Sequence, residues 1–262
     1  MGYLIAITGK GGTGKTTVAA LLVRLLIGRG GRPVLAVDAD PNTGLDTALG
    51  VAARNTLGRA REESRDLASK GMAAGVSKQR MLEMKTAECL VESGDFDLLA
   101  MGRPEGPGCY CYANNVLKEI LATLTSQYPF VVLDNEAGLE NLSRRIVQKV
   151  DLLIFTADPS CQGLATIHRL HGLAREMNIE YRKLAVLVNR LDGEPDPVQM
   201  QSLREKTAAD RVDWIPEDRE IAALAGEGRG LEPISADNPV VRRLDRLLES
   251  MDVPGLGRRS RE

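Results

Sequence analysis

Short apolar runs recur along the chain and alternate with segments of helical periodicity. The runs are four to six residues long and are bounded mostly by glycine, proline or aspartate. Such runs are typical of strands that are buried on both faces of a parallel sheet. We expect strands at Tyr3–Thr8, Pro33–Asp38, Phe96–Met101, Phe130–Asp134, Leu152–Ala157, Leu184–Asn189 and, with a weaker pattern, Val212–Ile215.

Helical periodicity fills most of the intervals between these runs. The predicted helices are Lys15–Leu26, Asn114–Ser126, Leu139–Val150, Cys161–Met177, Pro197–Ala208 and Pro239–Met251. Alternation of strands and helices implies βαβ units, so we expect an α/β fold, a doubly wound and mostly parallel sheet with helices on both faces. Residues 1–252 are expected to form a single domain, followed by a disordered tail at 253–262.

The composition is that of a globular protein. Of the 262 residues, 43% are apolar and 27% are charged, which argues against a disordered chain. The 34 basic and 36 acidic side chains give a formal net charge of −2. Nucleic-acid-binding proteins usually carry a basic excess, so we expect no nucleic-acid partner.

The sequence gives no sign of a membrane or secretory segment. The longest apolar run, Val18 to Ile27, is too short to cross a bilayer and contains Arg24. The segment Met1 to Leu4 lacks the basic region and apolar stretch of a signal peptide. Four cysteines in a chain of this length do not make a secreted disulfide framework, so we expect a cytoplasmic protein.

The segment GKGGTGKTT, Gly9 to Thr17, follows the first predicted strand and opens the first helix. It matches the phosphate-binding pattern G-x-x-x-x-G-K-[ST], in which glycines let backbone N–H groups surround anionic oxygens at the positive end of the helix dipole. We expect ATP or ADP here, with Lys15 on the β- and γ-phosphates, the Thr16 hydroxyl on Mg²⁺ and Thr17 at the α-phosphate. The predicted contacts are Gly9, Lys10, Gly11, Gly12, Thr13, Gly14, Lys15, Thr16 and Thr17.

Lys10 adds a second cation to this loop, directly after Gly9. Two functional roles are open at this point. Lys10 contacts its own nucleotide, or it reaches the nucleotide of a facing subunit in the manner of an arginine finger. A solvated loop lysine is the third possibility. We therefore take Lys10 and Lys15 as catalytic candidates.

Acidic side chains stand where two of the predicted strands end. Asp38 and Asp40 lie at the end of the second strand, and Asp134 ends the fourth. Ligands of open α/β sheets bind beyond the carboxyl ends of the strands, where these acids are expected to lie. We expect Asp134 to hold Mg²⁺ through water and the backbone N–H of Gly138 to approach the γ-phosphate. For Asp38 and Asp40, capping of the next helix is the alternative role.

Cys109 and Cys111 stand one residue apart in the proline- and glycine-rich segment RPEGPGCYCY. In an extended backbone both sulfur atoms would lie on one side. Two thiolates are half of a tetrahedral Zn²⁺ shell or half of a square-planar Ni²⁺ shell, and a second copy of the chain would complete the shell. Packed or redox-labile thiols are the alternative.

The other cysteines and the two histidines are interpreted as structural residues and not as metal ligands. Cys89 and Cys161 are isolated in apolar helical settings and are expected to be buried thiols. His168 and His171, the two histidines of the chain, are expected to be surface or helix-packing residues. One subunit therefore supplies too few ligands for a four-ligand site.

Three stretches together resemble the deviant Walker A ATPases: the loop GKGGTGKTT, the triplet DAD at Asp38–Asp40, and DNEAG at Asp134–Gly138. That family includes cell-division-site regulators, plasmid-partitioning ATPases and the nitrogenase iron protein. The resemblance runs from residue 3 to about residue 250 and implies a nucleotide-bound homodimer in which Lys10 reaches the opposite subunit's phosphates. It also implies that Asp40 positions the attacking water and that Asp38 supports Mg²⁺ through water.

The same resemblance gives Asn189 a role at the nucleotide base. Its carboxamide offers donors and an acceptor that match an adenine edge, and related ATPases place an asparagine here against the base. Pro216 and Asp218, after the last predicted strand, are expected to line the other side of the base. Without the resemblance, a turn residue would be the better interpretation of Asn189.

The longer strings RPEGPGCYCYANNVL and DNEAGLENLSRR resemble the carbon monoxide dehydrogenase accessory ATPases, which support nickel insertion into the active-site cluster. This resemblance implies ATP-driven dimerisation, Ni²⁺ or Zn²⁺ at Cys109 and Cys111 of the dimer, and delivery to carbon monoxide dehydrogenase or acetyl-CoA synthase. Two alternatives stay open. One is an ATP-dependent iron–sulfur reductase like the nitrogenase iron protein, whose bridging cluster also takes four thiolates. The other is a positioning or partitioning ATPase, although the chain end Val253–Gly257 offers no membrane-seeking helix.

Overall fold

The structure is a computed structural model that describes residues 2–60, 84, 86–103, 109–138 and 149–256. For residues 109–116 the description covers the backbone only. The elements, the packing and the contacts below refer to these residues.

An eight-stranded sheet forms the centre of the molecule, in the order β3-β4-β2-β5-β1-β6-β7-β8. All neighbouring strands are parallel except β3, which runs antiparallel to β4 at the edge. The prediction of a doubly wound, mostly parallel α/β sheet is confirmed, and each of the predicted strands is present. The strands are β1 (Tyr3–Gly9), β2 (Val34–Asp38), β3 (Leu90–Glu92), β4 (Phe96–Ala100), β5 (Phe130–Asp134), β6 (Lys149–Ala157), β7 (Glu180–Leu191) and β8 (Arg211–Pro216).

Helices cover both faces of the sheet, and their bounds differ in places from the prediction. They are α1 (Lys15–Gly28), α2 (Leu45–Ala48), α3 (Cys109–Leu124), α4 (Cys161–Glu176), α5 (Pro197–Thr207), α6 (Arg219–Gly226) and α7 (Pro239–Ser250), with short helical segments at 57–60 and 86–89. Residues 139–148 of the predicted helix Leu139–Val150 lie outside the described residues. Its last two residues are wrongly assigned, because Lys149 and Val150 begin β6 and pair with β7. The helices α2 and α6 were not predicted.

Two apolar clusters pack on opposite faces of the sheet because side chains alternate along each strand. In β1, Ile5 and Ile7 face one cluster, and Leu4 and Ala6 face the other. Every residue of β1 is buried, so this strand is covered on both faces and holds the phosphate loop on a rigid base. Burial of each large side chain contributes about 1.5–3 kcal/mol.

The last helix, α7, turns its apolar face into the core. Its residues Val240, Val241, Leu244, Leu247 and Leu248 are buried and belong to the cluster that contains α1. One face of α7 therefore packs in the core, and the other face exposes charged residues such as Arg242, Arg246 and Glu249. No helix in the described ranges is both long and apolar enough to cross a membrane.

A buried ion pair fixes α1 against α7. The Arg29 side chain is 4% exposed, and its Nε lies 2.7 Å from Oδ1 of Asp245. A second contact of 2.7 Å joins Arg29 to Glu249. Beyond α7, Val253 is buried and its amide donates to the carbonyl of Leu248. The packed core thus includes Val253, one residue past the predicted domain boundary at 252. The boundary itself stays a prediction.

Candidate nucleotide-binding site

The phosphate loop connects β1, which ends at Gly9, with α1, which begins at Lys15. Gly12 and Gly14 have φ angles of +78° and +85°, a left-handed conformation that favours glycine. At Gly14 a Cβ atom would stand 2.2 Å from Nδ2 of Asn189, so the site also has no room for a side chain. Glycine is therefore favoured at Gly12 by its conformation, and at Gly14 by its conformation and by close approach.

Side chains of the loop hold its shape. The Thr13 hydroxyl donates to the carbonyl of Lys10 over 2.8 Å and lies 2.9 Å from the hydroxyl of Thr156 in β6. The Lys15 ammonium donates to the same Lys10 carbonyl over 3.2 Å, and Lys15 is only 7% exposed. The cation of Lys15 is thus held at the mouth of the loop before a nucleotide binds, which lowers the cost of ordering the site.

Oxygen donors suited to a magnesium ion lie beside the first turn of α1. The Thr16 hydroxyl donates to Oδ2 of Asp134 over 2.6 Å. Asp134 is 1% exposed, and none of the described residues donates to its Oδ1. Burial, and after it the neighbouring charge of Asp38, raise the pKa of Asp134 to about 7. A buried carboxylate with one unpartnered oxygen beside a hydroxyl is a donor set that fits Mg²⁺. Ligation of the ion by Thr16 directly and by Asp134 through water stays a prediction.

Asp38 lies next to Asp134, since the two residues are register partners on β2 and β5. Its carboxylate accepts hydrogen bonds from the backbone N–H groups of Asp40 (3.0 Å), Gly44 (2.9 Å) and Leu45 (3.0 Å). Burial raises the pKa of Asp38, and these three bonds oppose that rise. Asp38 therefore caps the start of α2, the alternative that the sequence left open, and its role at Mg²⁺ stays a prediction.

Asp40 lies two residues beyond the end of β2 and is partly exposed. Its Oδ1 accepts the N–H of Asn42 over 2.9 Å. The positioning of the attacking water by Asp40 stays a prediction.

The segment after β5 is bonded to the end of β1. The Gly138 N–H donates to the Gly9 carbonyl over 3.0 Å, and the Thr8 hydroxyl donates to the Gly138 carbonyl. Asn135 donates to the Ile7 carbonyl through its backbone N–H (3.1 Å) and through Nδ2 (2.9 Å). For the Gly138 N–H to reach a γ-phosphate, its bond to Gly9 has to break. Sequence reasoning missed Thr8 and Asn135, because neither belongs to the phosphate-binding pattern.

A cleft of about 430 Å³ opens beside the loop and brings together five of the predicted contacts. They are Gly14, Thr17, Asn189, Pro216 and Asp218. Asn189 donates from Nδ2 to the Thr13 carbonyl over 2.8 Å, and its Oδ1 accepts the N–H of Arg190. The Asp218 carboxylate caps α6 through the N–H of Ile221 and accepts from Asn238. The cleft has the position expected for an adenine, whereas base contacts by Asn189, Pro216 and Asp218 stay predictions.

Lys10 is an exposed residue of the loop. Asp158 lies just beyond the end of β6, and the pKa of its carboxyl is lowered. A hydrogen bond with Ser160 has the larger effect, and the positive charge of Lys10 adds to it. As an exposed cation, Lys10 is accessible to a second subunit. Its role across the dimer stays a prediction.

The cysteine prediction falls partly outside the described residues. The backbone of Cys109 and Cys111 belongs to the first turn of α3, so the premise of an extended backbone is wrong. Their side chains are not among those described. Cys89 is buried, as expected, whereas Cys161 is exposed at the start of α4 and the interpretation as a buried thiol is wrong for it. Within the described part of the chain, no group of three or more histidine, cysteine, aspartate and glutamate side chains is placed to hold a metal ion.

The comparison with known families gives a single answer for the nucleotide site. The model of the CobQ/CobB/MinD/ParA nucleotide-binding domain matches residues 4–231. The chain belongs to this family. It is accordingly a P-loop protein of an ATP-binding ATPase family, and the geometry above shows how its loop is built.

Individual relatives agree with that assignment over nearly the whole chain. The uncharacterized ATP-binding protein MJ0685 of Methanocaldococcus jannaschii is 38% identical over 249 residues, which cover 95% of this chain and 98% of the relative. The carbon monoxide dehydrogenase accessory protein CooC of Rhodospirillum rubrum is 32% identical over 239 residues, 86% of this chain and 87% of the relative. The septum site-determining protein MinD of Pyrococcus horikoshii, solved with Mg-ADP, has a TM-score of 0.69 at 24% identity, with 96% of each chain covered. The last similarity shows the fold alone.

Proposed function

We propose that this chain is a cytoplasmic, ATP-hydrolysing metallochaperone. Nucleotide-dependent homodimerisation would be coupled to nickel insertion into carbon monoxide dehydrogenase or acetyl-CoA synthase. The observation that carries the proposal is the pair Cys109 and Cys111, on a chain that is 32% identical to a carbon monoxide dehydrogenase accessory protein. The pair lies at the start of α3, which directly follows the glycine- and proline-rich segment after β4.

The nucleotide half of the proposal rests on the loop and the donors described above. Lys15 is fixed at the mouth of the phosphate loop and would neutralise the β- and γ-phosphates. Asp40 would hold the attacking water, and Lys10 of the facing subunit would add positive charge where the γ-phosphoryl group becomes more anionic. When Mg²⁺ is bound with ATP, it supplies further charge neutralisation at the phosphates.

The metal half rests on the number of thiolates. One chain supplies two adjacent cysteines, and two chains related by a twofold axis supply four, enough for a tetrahedral or square-planar shell. Nickel or zinc is the cargo of this site. If ATP binding closes the dimer, it also assembles the metal site, and by reciprocity the metal must strengthen nucleotide-dependent closure.

Metal titration tests the proposal. Wild type and Cys109→Ala/Cys111→Ala are titrated with Ni²⁺ and Zn²⁺ without nucleotide, with ADP and with ATP. Cys161→Ala is the matched control, because Cys161 is an exposed thiol remote in sequence from the pair. We expect one metal per two subunits, strengthened by ATP, lost in the double variant and kept in the control. Equal binding by wild type and the double variant would contradict the proposal.

A positioning ATPase is the second candidate, because the family model that matches residues 4–231 also describes MinD and ParA proteins. Such a protein needs a surface to bind, and the apolar face of α7 is already used in the core. Co-sedimentation with anionic liposomes or with DNA in the presence of ATP would favour this candidate. A brown anaerobic preparation that contains iron and sulfide would instead favour the iron–sulfur reductase.

A further inference from the structure

A second cavity, of about 350 Å³, lies beside the base cleft and shares Thr17 and Ala225 with it. Thr16 also lines it, so the cavity touches two residues of the phosphate loop. Its remaining walls come from α2, from α6 and from the segment after α6. Beyond Thr16 and Thr17, none of the residues that line this cavity has a role assigned above.

Arg229 is the only charged side chain among the described residues that line the cavity. It stands between two glycines in the segment GEGRG. Its guanidinium lies 3.1 Å from the carboxylate of Glu227, and the two side chains are 60% and 58% exposed. Ion pairs exposed to this degree contribute little, so a stronger anion can displace Glu227.

The backbone that carries Arg229 is anchored on both sides. The N–H of Arg229 donates to the Leu224 carbonyl over 2.9 Å, and the N–H of Leu231 donates to the Ala48 carbonyl of α2 over 3.0 Å. Arg24 of α1 donates to the carbonyls of Leu231, Glu232 and Ile234. These bonds hold the segment against α1 and α2, while the Arg229 side chain keeps its freedom to turn.

We propose that this cavity is a subsite for the α-phosphate of the bound nucleotide and that Arg229 leaves Glu227 to bind that phosphate. Thr17, the residue predicted at the α-phosphate, lines both the cavity and the base cleft. The guanidinium presents paired donors that match two phosphate oxygens. This inference rests on the nucleotide-binding part of the proposed function and is independent of nickel.

Calorimetric titration with ADP, ATP and adenosine tests the subsite in the full-length protein. We expect Arg229→Ala to weaken ADP and ATP binding by about tenfold each, since one charge-assisted contact is lost, and to leave adenosine binding unchanged. Arg229→Lys should recover part of the loss, because it keeps the charge without the paired donors. Glu227→Gln should bind ADP at least as tightly as wild type.

Arg242→Ala is the matched control. Arg242 pairs with Asp237 at 2.8 Å and is also 60% exposed, but it lies on α7 and lines neither cavity. Its removal should change no affinity, and thermal melts should show that all variants fold. Wild-type affinity for ADP in Arg229→Ala, or an equal loss for adenosine, would overturn the subsite alone. If the wild-type protein bound neither ADP nor ATP, the proposed function would fail together with it.

Discussion

The hydroxyl of Thr16 donates a hydrogen bond of 2.6 Å to Oδ2 of Asp134. This bond joins the first turn of α1 to the carboxyl end of β5, two elements that are far apart in the sequence. It gives one oxygen of a buried carboxylate a partner and leaves Oδ1 without a described donor. The Thr16 hydroxyl oxygen and Oδ1 of Asp134 are therefore two neighbouring oxygen atoms suited to coordinate a cation.

Removal of the Thr16 hydroxyl tests this arrangement. In Thr16→Ala, Oδ2 of Asp134 loses its hydrogen-bond donor, and Oδ1 has no described donor to begin with. The ionised form of the carboxylate is therefore disfavoured further. We expect the Mg²⁺ affinity of the nucleotide complex to fall roughly 10–100-fold, while Thr16→Ser stays near wild type. The measurement is ATP hydrolysis against Mg²⁺ concentration, and an unchanged Mg²⁺ dependence in Thr16→Ala would contradict the assignment.

The two lysines of the phosphate loop should differ in their effects. Lys15 is buried in the loop and Lys10 is exposed. We expect Lys15→Ala to abolish hydrolysis. Lys10→Ala should cut the rate constant on the order of a thousandfold, with nucleotide affinity less affected, because its charge acts on the transition state.

Mixed dimers show whether Lys10 acts on the facing subunit. A dimer of one Lys10→Ala chain and one Lys15→Ala chain has one complete site if Lys10 acts across the interface, and none if it acts within its own chain. In an equimolar mixture about half of the dimers are mixed, and each of these has one complete site of two. We therefore expect mixing of the two inactive variants to restore up to about a quarter of the wild-type activity. No recovery on mixing would place Lys10 at its own nucleotide, and normal hydrolysis by Lys10→Ala would remove it from catalysis.

The ion pair between α1 and α7 should matter for stability. Arg29 is 4% exposed and Asp245 is 12% exposed, so Arg29→Met would remove the cation that lies 2.7 Å from a nearly buried carboxylate. We expect the free energy of unfolding to fall by about 3–5 kcal/mol. Arg32→Ala is the control, because Arg32 and Asp95 form a pair that is 57% and 48% exposed and should contribute under about 1 kcal/mol. Urea unfolding measures both, and equal losses would be the contrary result.

The two histidines of α4 are expected to contribute to the pH dependence of the free energy of unfolding. Burial lowers the pKa of His168 and of His171 below 6.5, assisted by Lys206 at His168 and by Arg175 at His171. The unfolded chain then takes up protons at these histidines first, so their contribution to stability should be constant above about pH 6.5 and fall as the pH drops below it, while Asp134, with its pKa raised to about 7, contributes in the opposite direction. NMR titration should find both histidines below their ordinary pKa. A pKa at or above about 6.5 for either histidine would contradict this.

The sequence predicted the interior of the fold better than its margins. Strands such as β1 and β5 are buried on both faces, so their continuous apolar runs are unambiguous. The edge strand β3 has only three residues, none of them fully buried, and leaves no such pattern. β7 extends well before Leu184, the start predicted for it, because pairing with β6 holds its polar residues in the sheet.

The candidate site shows the same division. The phosphate loop and Asp134 follow from a local motif, and the structure places them together at the end of β1 and β5. Asn135 and Arg229 were missed, since their positions depend on contacts with distant segments: Ile7 for Asn135, and the anchoring of the Arg229 segment on Ala48. Tertiary contacts of this kind have no signature in a single sequence.

The central claim is that ATP brings two copies of the chain together and that the dimer gathers four thiolates around one metal ion. Light scattering with simultaneous metal analysis tests it most directly, on protein without nucleotide, with ADP and with ATP, each with and without Ni²⁺ or Zn²⁺. The account predicts a dimer with one metal per two chains when ATP and metal are both present. A protein that remains monomeric under every one of these conditions would contradict it.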